Sequence, residues 1–420
     1  MNSNSRKLAL GLAVAATLAA PSAFATNGYF SHGFGIKSQG MGGTGVAFSQ
    51  DALAAATNPA GMVLVGSRVD GGASWFRPIR DTGIVGNGSI GTVSYDVNDK
   101  KDFLIPEFGY NTMLDANRSF GVSVYGNGGM NTSYTTPIGL FGSTKAGVDL
   151  MQLFIAPTMA WKLSDTNSVG VSLNLAYQRF KATGLQNFNN SSQSSSPGSV
   201  TENGYDSATG WGIRVGWVGQ LSPSVTMGAT YQSKTDMSKF DKYKGLFAEQ
   251  GNFDIPSNYA LGLAIKASPA TTVAVDIERI KYSDSKAVSN PLENLTVSGN
   301  RLGTDSGGGF GWKDMTVFKL GVSHQMSNDL VVRAGWNHGK QPIPNSQTFF
   351  NLLAPGVVED HITVGATWKL DKNSELSGMF MYALSNEVKG SGSIPSSFGS
   401  GEANLKMKQT SIGVSYGKSF

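Results

Sequence analysis

The sequence predicts an all-β protein, a transmembrane barrel of antiparallel strands. Three observations carry this: side chains alternate between apolar and polar with period two in segment after segment, short polar turns alternate with long loops, and a secretory leader precedes both.

The leader comes first. Arg6 and Lys7 form a positive start, Leu8 to Ala20 a short apolar stretch, and Ala23-Phe24-Ala25 a small-x-small cleavage site. The apolar stretch is too short for a membrane helix, so residues 1–25 are expected to be a signal peptide and the mature chain to start at Thr26.

The alternation follows. Val169, Val171, Leu173, Leu175 and Tyr177 interleave with Gly170, Ser172, Asn174 and Ala176. Tyr259 to Ile265, Phe318 to Val322 and Ile362 to Leu370 repeat the pattern. Neighbouring side chains on a strand face opposite ways, so each segment has one greasy face and one polar or small face. Short turns near Asp115-Ala116-Asn117, Ser222-Pro223-Ser224 and Ser327-Asn328-Asp329 alternate with Gly/Ser/Asn-rich loops near 78–101, 181–208 and 281–313. The pattern predicts fourteen strands: 63–77, 102–113, 119–125, 148–162, 169–180, 209–220, 225–232, 257–266, 272–280, 314–324, 330–337, 361–369, 375–385 and 405–420. An even number leaves both chain ends on the periplasmic side.

Composition agrees. Charged residues make up 15% of 420, and Gly contributes 54. No internal run approaches the roughly 20 apolar residues of a membrane helix. There is no Cys, hence no disulfide, and the net charge of +4 forms no basic block for nucleic acid. His32, His324, His338 and His361 are dispersed, with neither metal-ligand spacing nor a Ser-containing catalytic motif, so no enzyme, metal or cofactor is expected. Trp161-Lys162-Leu163 and Trp368-Lys369-Leu370 precede short turns, as a periplasmic aromatic girdle would. The last segment, Ile412, Val414, Tyr416 and terminal Phe420, resembles the outer-membrane assembly signal. The barrel assembly machinery, outer-membrane lipid and lipopolysaccharide are therefore expected partners of a monomer.

Residues 26–62 lack strand periodicity and are too few for a domain, but enough to plug a barrel lumen as a hatch ahead of a barrel at 63–420. Ser49 is expected to cap a short helix from Asp51 to Thr57, ended by Asn58-Pro59. Gly40-x-Gly42-x-x-Gly45 fits a dinucleotide fingerprint, but no strand precedes it and no βαβ unit surrounds it.

The run Gly28-Tyr29, His32-Gly33, Gly35-Ile36-Lys37-Ser38, Gly40-Met41-Gly42-Gly43, Asp51-Ala52 and Asn58-Pro59-Ala60-Gly61-Met62 closely resembles the start of the FadL/TodX family of outer-membrane transporters. The resemblance implies a fourteen-stranded barrel with an N-terminal hatch, of which Asn58, Pro59 and Ala60 are the most specific part. It implies passive uptake of hydrophobic molecules: capture among extracellular loops, hatch rearrangement, and lateral release through a gap made by a kinked strand. Long-chain fatty acids are the favoured ligand, and aromatic hydrocarbons the alternative. A general diffusion porin fits less well, because a plug would block it.

On this chain the gap would fall where Phe120 to Tyr125 runs into Gly126-Asn127-Gly128-Gly129, so Gly126, Gly128 and Gly129 form either a lateral opening or the start of a Gly-rich loop. Arg179 and Lys313 match, by local sequence, the basic residues that face a ligand carboxylate. Lys313 has inward parity. Arg179 shares parity with lipid-facing Val171, so its strand has left the bilayer there or a bulge resets its facing. Leu246, Phe247, Phe349 and Phe350 in polar loops form either a ligand surface or loop-to-loop packing.

Overall fold

In the computed structural model, residues 27–420 are described; the signal peptide and its cleavage site lie outside them. Sixteen strands follow the chain: β1 Arg68–Asn87, β2 Gly91–Asp96, β3 Phe103–Asp115, β4 Arg118–Pro137, β5 Lys145–Ser164, β6 Asn167–Thr183, β7 Asp206–Ser222, β8 Val225–Gln232, β9 Asp236–Met237, β10 Asn258–Ser268, β11 Thr271–Ile280, β12 Met315–Gln325, β13 Leu330–Gly339, β14 Asp360–Lys369, β15 Ser374–Val388 and β16 Glu402–Ser419. Each barrel strand pairs antiparallel with the next, and β1 pairs with β16 from Arg68↔Ser419 to Val85↔Glu402, which closes the cylinder. The short β2 and β9 are appended to β1 and β7, so fourteen strands form the wall.

Closure matters because an open edge in lipid would leave backbone groups unsatisfied at several kcal/mol each. The period-two pattern becomes a two-faced wall: Leu261 and Leu263 are 49% and 40% exposed to the lipid side, whereas Ala260 and Ala264 are 6% exposed. A membrane crossing needs only about 9–11 tilted residues. β1, β4 and β5 each run 20 residues, so much of their length projects past the bilayer on the long-loop side.

Several boundaries differ from the sequence expectation, most of all the outer ends of β1 and β4, which run to Asn87 and Pro137 rather than 77 and 125. The first strand begins at Arg68 rather than 63, because the interior segment continues as a 3₁₀ helix over Pro59–Leu64. Ser49 caps nothing and its buried hydroxyl has no partner; Asp51 instead accepts from the Leu53 N–H, and only Ala54–Ala56 is helical. Asn58 does not end a helix but starts one. Its extended backbone suits the following proline, and its side-chain oxygen accepts from the Ala60 N–H at 3.1 Å.

Residues 27–63 are almost entirely buried, against the inward faces of the wall. The seat is made of glycine. A β-carbon at Gly335 would lie 2.1 Å from the Gly42 nitrogen, and one at Gly170 would lie 2.3 Å from the Pro59 carbonyl carbon. Wall side chains then bond the hatch backbone. Asp276 accepts from the Gly45 and Val46 N–H groups at 2.8 and 3.1 Å, and Glu107 from Gly35 and Ile36 at 3.2 and 3.0 Å. Thr363 accepts from Gly42, and Arg214 donates to the Thr57 carbonyl at 2.9 Å. Lys37 pairs with Glu375, which also binds Arg68.

Candidate functional site: a loop cleft, a seated hatch and a broken wall

The extracellular loops are long and polar in sequence, yet they fold inward over the barrel mouth and bring scattered rings together. Phe180 points inward from β6 and meets Phe247, Tyr243 and Phe240 at ring separations of 4.7, 4.8 and 5.7 Å. On the other side Phe141, Phe188, Phe349 and Phe350 pack edge to face, 5.1 Å apart for Phe141–Phe349 and 5.3 Å for Phe188–Phe350. Such pairs add about 0.5–1.5 kcal/mol each beyond area burial. Between the two groups lies a cleft whose lining is apolar throughout: Phe180, Leu246, Phe247, Phe310, Phe350 and Leu353 among others. Leu246, Phe247 and Phe350 thus line it, and Phe349 is fully buried behind Phe350.

Below the cleft is a smaller pocket lined by Gly28, Met130, Asn131, Trp312, Pro355 and Met407. Leu353 belongs to the first cavity and Ala354 to the second, so one short loop stretch lines both. The hatch start forms its floor. Tyr29 sits among Phe30, Phe253, Tyr282 and Trp312 at ring separations of 5.2–6.1 Å. The Tyr282 hydroxyl accepts from the Tyr29 N–H and donates to the Asn27 carbonyl. Burial pushes that phenol far above its ordinary range, so it stays a neutral donor.

The wall is broken beside this pocket. β3 stays paired with β1 as far as Phe76↔Phe103, but its pairing with β4 stops at Phe108↔Val124. β4 does not end there. It bulges at Asn127, between Gly126↔Leu153 and Gly128↔Gln152, and bends inward, still paired with β5. Ser123 to Thr132 are consequently buried on both faces, as are Ala146 to Phe154 of the paired β5. The vacated edge of β4 is taken by the hatch: Ser31 N–H donates to Asn127 O at 3.2 Å and Gly129 N–H to Tyr29 O at 3.0 Å. A β-carbon at Gly128 would lie 2.2 Å from Tyr29 O, so this approach needs glycine. The stretch 126–129 is therefore strand interior and not the start of a loop.

The hatch motif is held from several sides. Asn58 donates to Val46 O at 2.7 Å and to the wall at Trp217 O at 3.0 Å, and the Ser168 hydroxyl donates to Ala60 O at 3.1 Å. Asn58→Ala orphans three backbone groups at about 1–3 kcal/mol each. The expected result is a lower temperature of barrel unfolding, read from heat-modified migration on gels; an unchanged temperature would remove Asn58 as an anchor.

Both predicted carboxylate partners lie away from these cavities. Arg179 keeps its lipid-side parity, because β5 and β6 pair without a shift from Asp149↔Lys181 to Ile155↔Leu175; its guanidinium stacks on the Tyr205 ring at 4.2 Å on the outer face. Lys313 precedes β12 and is exposed, while its neighbour Trp312 turns inward. The inward cations are others. Lys319 pairs with Glu278 at 2.8 Å, and Arg333 binds Gln50 and Thr367. Arg80 is fully buried and donates to Asn131 and to the Lys100 carbonyl. Strand parity from Trp75 onward could have placed Arg80, but the Pro78 that follows Phe76 and Arg77 reads as a loop start. His32 and His361 meet as stacked rings 5.8 Å apart in the lumen, and no cluster of three ligating side chains exists among the described residues.

Known structures share this architecture. The toluene transporter TodX of P. putida superposes with a TM-score of 0.68 at 20% identity, over 93% of this chain and 99% of that one. A Pseudomonas aeruginosa FadL homologue gives 0.68 at 15% identity, over 94% and 100%. The Ralstonia pickettii toluene transporter TbuX gives 0.64 at 18% identity, over 93% and 99%. A search of curated proteins finds no match. The model of the outer membrane protein transport proteins (OMPP1/FadL/TodX) matches residues 12–420, and with this barrel and its seated hatch the chain belongs to that family, the transporters of hydrophobic compounds in the Gram-negative outer membrane.

Proposed function

We propose that the protein takes up neutral hydrophobic molecules, monoaromatic hydrocarbons foremost, by passive transfer from the loop cleft to the inner pocket and out through the β3–β4 break. The observation that carries this reading is the cleft itself: its lining is rings, aliphatic side chains and glycine, with no charged or hydrogen-bonding side chain. Such a surface gains from apolar area buried and gives a carboxylate nothing to replace its water. Toluene transporters with the same fold add an analogy at the level of fold only. The hatch strand at Tyr29–Ser31 occupies the vacated edge of β4, so its displacement would expose the break to the pocket.

Arg80 favours a second reading, long-chain fatty acids. It is buried, has no carboxylate in ion-pair contact among the described residues, and binds Asn131, which lines the inner pocket. An arriving carboxylate could exchange with those carbonyls for a charge-assisted bond. Uptake by a transporter-deficient strain carrying this gene, offered labelled toluene or p-cymene against oleate, separates the two. Uptake of the hydrocarbons above the empty vector, with oleate at its level, is expected. Oleate uptake alone would move the assignment to the second reading, and uptake of neither would defeat both. Lys313→Ala, an exposed site, is expected to change neither; a selective loss of oleate uptake would return Lys313 to the site.

A further inference from the structure

The outer face of the β5–β6 ladder changes character along its length. The outward pairs run Ile155↔Leu175 and Leu153↔Tyr177, then Met151↔Arg179, Asp149↔Lys181 and Gly147↔Thr183 toward the loop end. The apolar part opens into a hollow of about 630 Å³ in the lipid-facing wall, lined mainly by Leu153, Ile155, Leu173, Leu175, Tyr177 and Trp211, with Thr209 and Asp236 at its rim. Next along the same two strands is a second hollow of about 190 Å³, lined by Lys100, Lys145, Lys181 and Tyr205, with Asp149 among them. Asp149 is already engaged, accepting from the Lys100 ammonium at 2.7 Å and the Tyr205 hydroxyl at 2.8 Å. Lys145 and Lys181 have no carboxylate in ion-pair contact among the described residues, and Lys181 and Arg179 share the Tyr205 ring at 5.1 and 4.2 Å. Lys100, Lys145, Lys181 and Arg179 thus gather around Asp149 at the loop end of a mostly apolar trough, with Asp99 and Glu202 bonded to the neighbouring Ser133 and Thr144.

We propose that this face binds a phosphorylated, multiply acylated lipid of the outer leaflet, the lipid A part of lipopolysaccharide. A phosphate would sit on Lys100, Lys145 and Lys181, and an acyl chain in the trough beside Trp211. Both halves are needed for the assignment. A soluble anion has no use for the trough, and a neutral amphiphile has none for the lysines. The leaflet decides the lipid. The lysines lie at the long-loop end, whereas the short turns at Asp115–Arg118 and Asp371–Ser374 mark the periplasmic end, and the outward leaflet of this membrane is lipopolysaccharide. Lys181 and Phe180 point to opposite sides of β6, so the lysines stand outside the ligand cleft, although Val148 lines both hollows and Asn131 lines both the lysine hollow and the inner pocket.

The test uses the whole chain in neutral detergent with three lipids: bisphosphorylated lipid A, its dephosphorylated form, and phosphatidylglycerol. Bound lipid is read by native mass spectrometry. Wild type should retain bisphosphorylated lipid A selectively, and Lys100→Gln with Lys145→Gln and Lys181→Gln should weaken retention about tenfold with unchanged heat-modified migration. Equal retention by that variant overturns the proposal, as does wild-type retention of the dephosphorylated form or of phosphatidylglycerol to the same extent. Should the triple variant fail to fold, Lys145→Glu at an exposed site decides, with loss of retention expected and unchanged retention fatal.

Discussion

Gly170→Val is expected to turn a plugged barrel into a leaky one. The glycine faces the lumen from β6, where an added β-carbon would lie 2.3 Å from the Pro59 carbonyl carbon and 2.5 Å from the Ala60 nitrogen. Those are backbone atoms, and Asn58 and Ser168 fix them on either side, so no side-chain rotation relieves the overlap. Overpacking of a tight site costs typically 1–3 kcal/mol, and here the cheapest relief is for the Asn58-Pro59-Ala60 turn to leave its seat. Ion conductance in planar bilayers should rise, and cells should become sensitive to hydrophilic antibiotics. Gly71→Val is the matched control, because a β-carbon there has nothing within 4 Å. Equal behaviour of the two variants would mean that the glycine seat does not hold the hatch.

Deleting Asn127 is expected to abolish uptake while leaving the barrel folded. Asn127 is the extra residue of the β4 bulge: Gly126 pairs with Leu153 and Gly128 with Gln152, so its removal restores a continuous β4–β5 register without turning any later side chain to the other face. A straightened β4 can continue its ladder with β3 past Phe108↔Val124, over the stretch of β3 now bonded only to β1. That closes the break and displaces Tyr29 and Ser31 from the β4 edge. Uptake of toluene or p-cymene should fall to the empty-vector level with normal heat-modified migration. Undiminished uptake in a folded deletion variant would take the break out of the route.

What the sequence revealed follows from what alternation can report. Fourteen wall strands were legible because lipid on one side and lumen on the other impose a period of two. Parity set Arg179 on the lipid side against its expected place beside a ligand carboxylate, and no bulge resets it. Alternation fades past the bilayer: Asn127 to Thr132 of β4 are buried on both faces, and in β1 the buried inward positions include Arg80 and Thr82, polar residues that do not stand out against polar neighbours. The outer halves of β1 and β4, through Pro78 to Asn87 and Asn127 to Pro137, therefore read as loops. The ladder break was hinted at by Gly126, Gly128 and Gly129, but its filling by Tyr29–Ser31 was not, since nothing local marks a partner a hundred residues away. The cleft was legible in part, through the apolar Leu246, Phe247 and Phe350 in polar loops, but its assembly was not, for the same reason. Phe141, Phe180, Phe247 and Phe350 come from four separate segments, and only folding makes them neighbours.

The hatch is synthesised first, yet it can be fully seated only last. Lys37 needs Glu375 on β15, Gly42 needs Thr363 on β14, and Gly45 needs Asp276 on β11. Glu107 on β3, Arg214 on β7 and Asp276 on β11 come earlier, but the set is complete only when β14 and β15 are in place and β16 has found β1. The amino-terminal segment therefore enters the closing ring only partly anchored, and the final zip of the first and last strands sets the moment at which its seat is complete.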